Sequence, residues 1–248
     1  MVKLKETNMN VLITGVSKGL GLNIAEKLLS DGYSIYGISR TKSKEVEKLL
    51  LEYPSNFHFK SYDLSDGKNI KNELFGQWLR KIPLNAFINN AAMAYDDIIT
   101  NLNIDKLEFM YKVNVFSPML ITKFVLRNML LHKNISGSII HISSISAHTG
   151  YKGLSMYAST KSALEGFSKN TAREWGELGV RSNCIVSGFM DTEMSSTLTD
   201  DQKNRIYKRT SLKKPVDPNS ISNMISFLIS DEAKSITGQN LFIDSGTI

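Results

Sequence analysis

The amino-acid sequence predicts an α/β fold in which one doubly wound parallel sheet of about seven strands carries helices on both faces. Two observations predict this fold class. Short apolar runs alternate along the chain with longer segments of amphipathic, helical periodicity. The first apolar run also ends in a glycine-rich loop that leads directly into a helix. Since the 248 residues contain no repeat, linker or break in composition, we expect a single domain over residues 1–248.

Composition restricts the function classes. The chain is 42% hydrophobic and 22% charged, as is typical of globular proteins, and its formal net charge is +6. Lys and Arg are scattered, which indicates either a solvated basic surface or attraction to an anionic cofactor or carrier, with no pattern that favours nucleic acid. Cys184 is the single cysteine and lies in an apolar run, so we expect no internal disulfide, no metal-ligand cluster and a buried thiol.

The chain begins with a polar extension over residues 1–8, which lacks the apolar core of a signal peptide. No stretch approaches the ~20 consecutive apolar residues of a membrane-spanning helix. We therefore expect no membrane contact and a cytoplasmic location.

Residues 10–14 form an apolar run that predicts a buried first strand. The loop 15–21 follows with the spacing G-x-x-x-G-x-G, and apolar residues then recur on one helical stripe that stops near Asp31. A strand, a glycine loop and a helix in this order place backbone amides at a helix N-terminus, where they bind phosphate groups. This part of the chain therefore indicates a Rossmann-type dinucleotide site.

The second predicted strand, residues 34–39, ends at Arg40, where a dinucleotide fold meets the adenosine ribose. An acidic residue here would bond a free 2′-hydroxyl, whereas an arginine suits a 2′-phosphate. Lys18 in the glycine loop could add a second positive charge to that phosphate. Two unrelated surface cations are the alternative. We predict NADP rather than NAD.

The later segments continue the alternation of strands and helices, which predicts right-handed crossovers between parallel strands. Further strands are predicted at residues 56–62, 84–88, 137–142, 180–186 and 240–244. Further helices are predicted at residues 43–52, 103–132, 156–178 and 218–229. Ser65 and Asp66 are expected to cap an amphipathic segment that runs to Trp78. The polar stretch 195–214 is long for a connection and predicts a substrate lid over residues 190–214.

A proline lies within the long helix predicted at residues 103–132. Pro118 cannot donate the backbone hydrogen bond that would otherwise reach the carbonyl of Asn114. That carbonyl is therefore expected to be available to a water molecule or an ammonium group, and a simple kink is the alternative explanation of the proline.

The fifth predicted strand delivers Ser144 to the carboxyl end of the sheet, where open α/β sheets bind ligands. Tyr157 and Lys161 stand four residues apart, so they project from one face of the next helix. An adjacent ammonium group favours the phenolate and lowers a tyrosine pKa that is ordinarily ~10. The pair could pass a proton to a reacting oxygen that Ser144 also hydrogen-bonds. Such pairs are also common on solvated helix faces.

Six ordered motifs give the whole chain a resemblance to the short-chain dehydrogenase/reductase family. They are T-G-V-S-K-G-L-G at residues 14–21, Asp63 with Leu64, N-N-A-A at residues 89–92, Asn114, Ser144, and Tyr157 with Lys161. Within the family, segments 187–194, 198–202 and 236–244 most resemble the bacterial 3-oxoacyl-(acyl-carrier-protein) reductases. The resemblance implies a Rossmann-type fold and NADPH-dependent reduction of a ketone to a secondary alcohol.

The resemblance also implies roles for single residues. Tyr157 is expected to protonate the carbonyl oxygen, which Ser144 would orient and polarise. Lys161 would bind the ribose, lower the tyrosine pKa and connect to a proton relay through water held at Asn114. The glycine loop would hold the pyrophosphate, Asp63 and Leu64 the adenine, Asn90 the ribose and Thr192 the carboxamide. The implied cofactor-binding residues are Gly15, Ser17, Lys18, Gly19, Leu20, Gly21, Arg40, Asp63, Leu64, Asn90, Tyr157, Lys161, Met190 and Thr192.

Three positions depart from the family pattern. Ser187 replaces the usual proline before a glycine, which loosens the turn to the lid, and Ala92 replaces a usual glycine. Reductases of this subgroup dock an acyl carrier protein on basic surface residues. Lys133 matches one of these, whereas Leu178 occupies the place of a second.

Three function classes follow. The first is an NADPH-dependent 3-oxoacyl-(acyl-carrier-protein) reductase of fatty acid biosynthesis. The second keeps the chemistry and acts on a sugar, a steroid-like alcohol or a secondary-metabolite ketone. The third is an NADP-binding regulator without turnover, which the complete catalytic set disfavours. No metal is expected, and the long apolar helices favour a homo-oligomer, either a tetramer or a dimer. His141 is interpreted as a strand residue and His148 as a residue of the pocket rim.

Overall fold

The computed structural model describes residues 9–133, 136–191 and 198–248. Its centre is a seven-stranded sheet in the order β3-β2-β1-β4-β5-β6-β7, and every neighbouring pair is parallel. The strands are β1 (Asn10–Thr14), β2 (Ser34–Ser39), β3 (Phe57–Ser61), β4 (Leu84–Asn89), β5 (Ser138–Ser144), β6 (Arg181–Ser187) and β7 (Asn240–Ile243). The predicted doubly wound parallel sheet is confirmed.

Helices connect the strands on both faces of the sheet. The α-helices are α1 (Gly19–Ser30), α2 (Lys44–Glu52), α3 (Ile104–Tyr111), α4 (Ser117–Leu131), α5 (Ser146–Thr149), α6 (Ser155–Trp175), α7 (Asp200–Arg209) and α8 (Pro218–Ile229). Two segments, Ile70–Trp78 and Lys112–Phe116, are π-helical. Within the part of the chain that the structure describes, no helix is both long and apolar enough to span a bilayer.

Two buried layers lie on opposite faces of the sheet, because consecutive strand residues point in opposite directions. From β1, Val11 and Ile13 join the layer that contains α1 and α8, whereas Leu12 joins the layer of the first π-helix and α4. Burial on both faces explains why the strands are continuous apolar runs rather than alternating ones.

Two helical segments differ from the prediction. Ser65 and Asp66 do not cap the segment that ends at Trp78, since this π-helix begins only at Ile70, after Asn69. The long helix predicted at residues 103–132 contains a π-helical turn, through which the Ser117 amide donates to the carbonyl of Lys112. Inserted residues of this kind are invisible to hydrophobic periodicity, because they shift the backbone pairing without changing the apolar pattern.

The predicted lid, residues 190–214, is described in part. Within it, α7 begins at a capping box in which the Thr199 hydroxyl accepts from the Gln202 amide and the Gln202 side chain accepts from the Thr199 amide. Lys203 of this helix forms an ion pair of 2.7 Å with Asp191. The lid itself stays a prediction.

Candidate active site

A cavity of about 410 Å³ opens at the carboxyl ends of the strands, above β1 and its neighbours β2 and β4. The chain reverses its strand order between β1 and β4, and this switch point is where doubly wound sheets bind their ligands. Thirteen of the fourteen predicted cofactor-binding residues line the cavity: Gly15, Ser17, Lys18, Gly19, Leu20, Gly21, Arg40, Asp63, Leu64, Asn90, Tyr157, Lys161 and Met190. The remaining one, Thr192, lies outside the described residues.

The glycine loop is closed tightly over the start of α1. Gly15 has a φ of +80°, and a Cβ atom on Gly21 would lie 2.0 Å from the carbonyl oxygen of Gly15. The first turn of α1 carries no acidic residue, and its N-cap, Lys18, makes no side-chain cap. Amides at this helix end are thus directed at the cavity without a competing carboxylate, an arrangement that fits a pyrophosphate.

Thr14 and Asn90 fasten the loop to the end of β4. The buried Thr14 hydroxyl accepts from the amides of Asn90 and Ala91, both at 3.1 Å. The Asn90 side chain donates to the carbonyl oxygens of Thr14 at 3.0 Å and Gly15 at 3.3 Å. Asn90 therefore lines the cavity while its amide holds the loop backbone. The motif at residues 14–21 includes Thr14, but its contact with the residues after β4 follows only from the fold.

The far end of the cavity carries positive charge. Arg40 and Lys18 are exposed at the rim, near Thr41. Arg40 is fixed through its backbone, because its carbonyl accepts from the Ser61 hydroxyl at 2.6 Å. Asp63 is exposed and Leu64 is buried beside it. An exposed guanidinium group at the end of β2 fits a phosphate on the adenosine ribose.

Tyr157 and Lys161 form the other end of the cavity, at the start of α6. Lys161 is 3% exposed, and its ammonium group donates to the Ile142 carbonyl at 2.8 Å and lies 5.5 Å from the centre of the Tyr157 ring. Within the described chain the Tyr157 hydroxyl has no hydrogen-bond partner and Lys161 uses one of its three donors. Both groups are therefore able to bind a ligand in the cavity.

The pKa of Tyr157 moves against the sequence-based expectation. Burial raises it, the negative charge of Asp96 raises it further, and no lowering by Lys161 is found. The physical reason is that burial lowers the pKa of Lys161 to about 8, so no ammonium group remains at the pH where the phenol ionises. The prediction of a lowered tyrosine pKa is wrong for the protein without ligand. At neutral pH the phenol keeps its proton, which is the form that a general acid needs.

Ser144 ends β5 and lies next to the cavity wall, which is formed here by Ile142 and Ser143. Its hydroxyl accepts a hydrogen bond from the amide of Ser146 at 3.2 Å, so the short helix α5 restrains the position of this hydroxyl. The structure thus places Ser144 directly after Ser143 of the cavity wall but does not place it on the wall itself.

Asn114 lies in the π-helical turn and is 1% exposed. Its side chain accepts from the Met93 amide at 2.9 Å and donates to the Met93 carbonyl at 2.8 Å and the Thr160 hydroxyl at 3.1 Å. Asn114 therefore joins the loop after β4 to the residue that precedes Lys161. The predicted use of its main-chain carbonyl in a proton relay stays a prediction.

Three further groups are placed by the structure. His141 is buried on β5 with its pKa lowered to about 3 by burial and by Lys161, so it is neutral, as expected of a strand residue. Burial raises the pKa of the Cys184 thiol to about 12, in agreement with the expected buried cysteine. His148, expected at the pocket rim, does not line the cavity and instead contacts Glu165, a buried carboxylate that sequence reasoning missed.

Known proteins resemble this chain over nearly its full length. A family profile described as Enoyl-(Acyl carrier protein) reductase matches residues 15–247. The 3-oxoacyl-(acyl-carrier-protein) reductase FabG of Chlamydia trachomatis serovar D is 31% identical over 242 residues, which are 96% of this chain and 97% of that protein.

Solved structures agree with this similarity. The structure described as "ElxO with NADP Bound" superposes with a TM-score of 0.87 at 28% identity, covering 97% of this chain and 99% of that one. The structure described as "4-hydroxyisoleucine dehydrogenase complexed with NADH" superposes with a TM-score of 0.85 at 25% identity, covering 97% of this chain and 98% of that one. Nicotinamide dinucleotides of both kinds thus occur among proteins with this fold.

Proposed function

This chain belongs to the short-chain dehydrogenase/reductase family, and we propose that it reduces a ketone to a secondary alcohol with NADPH, the substrate being a 3-oxoacyl thioester on an acyl carrier protein. One observation carries the proposal. A single cavity holds a phosphate-binding glycine loop in its middle, cations at one end, and Tyr157 with Lys161 at the other. The cofactor, when bound, supplies the hydride.

The chain's own residues handle the proton. Tyr157 donates its proton to the carbonyl oxygen as the carbon receives the hydride, and it becomes a phenolate. The Lys161 ammonium group, 5.5 Å from the ring centre, stabilises that charge. Ser144 hydrogen-bonds the same carbonyl oxygen and orients it. We propose that Lys161 then passes a proton to the phenolate, which restores the phenol, and that Lys161 regains its own proton from solvent through water held at Asn114.

The choice of NADPH rests on Arg40 and Lys18. Both are exposed at the cavity rim where the adenosine ribose is expected. β2, which ends directly before Arg40, contains no carboxylate that could bond a free 2′-hydroxyl instead. A 2′-phosphate accepts charge-assisted hydrogen bonds from a guanidinium group, which are about twice as strong as neutral ones. Asp63 and Leu64 line the same cavity and are proposed to contact the adenine.

The carrier-bound substrate is proposed from the 3-oxoacyl-(acyl-carrier-protein) reductases among the relatives. The basic chain, with a net charge of +6, suits an acidic carrier. Lys133 is one proposed docking residue, while the second expected position is occupied by Leu178, which is 41% exposed. Docking therefore relies on fewer cations than in the subgroup pattern.

We also propose a homo-oligomer. The helical segment from α3 to α4 exposes Phe109, Phe116 and Leu131, of which Leu131 is 74% exposed. Exposed large apolar side chains on successive helical elements support a surface that another copy covers.

Oxidation of NADPH with different acceptors tests the function. Acetoacetyl thioesters on acyl carrier protein and on coenzyme A are compared with a panel of simple ketones and with NADH as donor. We expect the highest kcat/KM for the carrier-bound thioester with NADPH. Equal turnover of both thioesters would remove the carrier from the proposal, a preferred simple ketone would replace the substrate class, and no turnover with any acceptor would reject the reductase.

The pH profile tests Lys161. Its folded pKa of about 8 means that the free protein holds the ammonium group below pH 8 and loses it above. Since the charge stabilises the phenolate, kcat/KM for NADPH in the direction of reduction should fall above about pH 8, and this parameter reports the free enzyme.

The matched variant is Lys161→Arg, in which the guanidinium group stays protonated at every pH used. Its rate is expected to be lower, but the alkaline decline should be absent. A decline at the same pH in both proteins would assign the limb to another group.

A further inference from the structure

Glu165 is a buried carboxylate that the mechanism above does not use. It lies on α6, is 7% exposed, and accepts from three side chains on three other elements. Ser143 of β5 donates to Oε1 at 2.5 Å, Asn240 of β7 donates to Oε2 at 2.7 Å, and His148 Nε2 of α5 lies 3.0 Å from both oxygens.

Glu165 lies on the same helix as the two residues at the end of the candidate site, Tyr157 and Lys161. Tyr157, Lys161 and Glu165 follow one another at intervals of four residues, so they lie along one face of the helix. The helix packs against β5 and β6. Lys161 and Glu165 thereby contact consecutive residues of β5, since Lys161 bonds the carbonyl of Ile142 and Glu165 bonds the hydroxyl of Ser143.

The partners of Glu165 flank Ser144 on both sides. Ser143 precedes it directly and lines the cavity. His148 follows it in α5, the short helix whose Ser146 amide donates to the Ser144 hydroxyl. His148 is further restrained by its ring, which packs edge-on against Phe242 of β7 with the centres 4.9 Å apart. One carboxylate thus holds the two segments that fix the place of Ser144.

The chemistry of the contacts supports a fixed carboxylate at this position. All three partners present donors, because the His148 nitrogen that faces the carboxylate carries the proton in this arrangement. Burying a carboxylate is unfavourable unless such partners satisfy it, and apolar side chains of similar volume pack a core at least as well. The arrangement is therefore better explained by a need for precise placement than by packing.

We propose that Glu165 is a positioning residue of the carbonyl-reduction site, which holds Ser143 and α5 so that the Ser144 hydroxyl meets the carbonyl oxygen protonated by Tyr157. The inference rests on the reductase function proposed above. Glu165 touches neither the cofactor nor the substrate, and acts through Ser143 and His148.

Substitution Glu165→Gln tests the proposal, because it keeps the shape and removes the charge and one acceptor. We expect kcat to fall about 10- to 100-fold, the scale of effect that small misplacements of reacting groups produce. The dissociation constant of NADPH should change less than about twofold, since the glycine loop and Arg40 are untouched. Ser143→Ala should lower kcat in the same way, and the double variant should be no slower than the slower single one, because the two residues act as a unit.

Ser168→Ala is the matched control. Ser168 lies on the same helix, is 1% exposed, and bonds the Ser182 hydroxyl of β6 at 2.8 Å. Its loss should lower the melting temperature and leave kcat unchanged. A Glu165→Gln protein whose kcat equals that of the parent, or whose losses add to those of Ser143→Ala, overturns the proposal.

A parent protein without turnover on any ketone rejects the proposed reductase. In that case, crystal structures of the parent and of Glu165→Gln decide the positioning role separately. A displaced Ser144 hydroxyl supports it, and an unmoved one overturns it.

Discussion

Replacement of Tyr157 by phenylalanine should lower kcat for ketone reduction by about 10²- to 10⁴-fold, the range that a positioned general acid contributes. The change removes the phenol oxygen and keeps the ring that lines the cavity. The dissociation constant of NADPH should stay nearly unchanged, because the glycine loop, Arg40 and Lys161 supply the other contacts. Stopped-flow reduction and fluorescence titration with NADPH measure the two quantities.

Tyr111→Phe provides the matched control for this substitution. The Tyr111 hydroxyl bonds the Ser159 hydroxyl at 2.9 Å, and the residue does not line the cavity. Losing this oxygen should change kcat little. An unchanged kcat in the Tyr157 variant would refute the mechanism. An equal loss of kcat in both variants would assign the effect to helix packing.

Substitution Arg40→Asp should move the cofactor preference from NADPH toward NADH. It removes a charge-assisted contact of about 1.5–3 kcal/mol with the 2′-phosphate, and the new carboxylate repels that group. The same carboxylate can accept a hydrogen bond from the free 2′-hydroxyl of NADH. The ratio of kcat/KM values for the two cofactors is expected to change by about 10²-fold or more, since each 1.4 kcal/mol is tenfold.

Lys42→Asp is the control for net charge. Lys42 is exposed two residues further along the chain, and it pairs with Glu47 at 3.3 Å rather than lining the cavity. An identical change in charge there should alter the ratio only a few-fold, because salt screens a charge that makes no contact. An unaltered ratio in the Arg40 variant would refute its assignment.

Much of the fold could be predicted because local pattern and tertiary role coincide in this chain. A strand that is covered on both faces is largely apolar, so runs such as residues 10–14 and 34–39 can be recognised as strands from the sequence. Parallel strands also require a connecting segment long enough to cross the sheet, which the intervening helices supply. Helix ends were less predictable, because the π-helical turns depend on backbone pairing rather than on composition.

Part of the candidate site was predictable for a related reason. Loops at the carboxyl ends of parallel strands converge whatever their sequence separation, so Gly15, Arg40, Asp63 and Asn90 reach one cavity once the strand order is known. Glu165 could not be recognised in this way, because it lies within α6 and its partners come from three distant segments. The spacing of Glu165 from Lys161 was visible, but a glutamate at such a spacing is also what a solvated helix face contains.

The sequence by itself determined the doubly wound sheet, the glycine loop and the pairing of Tyr157 with Lys161 on one helical face, since each depends on neighbours within a few residues. Tertiary structure decided the protonation of that pair. Burial raises the pKa of Tyr157 and lowers that of Lys161, against the attraction that spacing alone suggests, because desolvation depends on everything packed around a group. The tertiary structure likewise makes Glu165 a buried carboxylate that is hydrogen-bonded to β5, α5 and β7 rather than a surface charge.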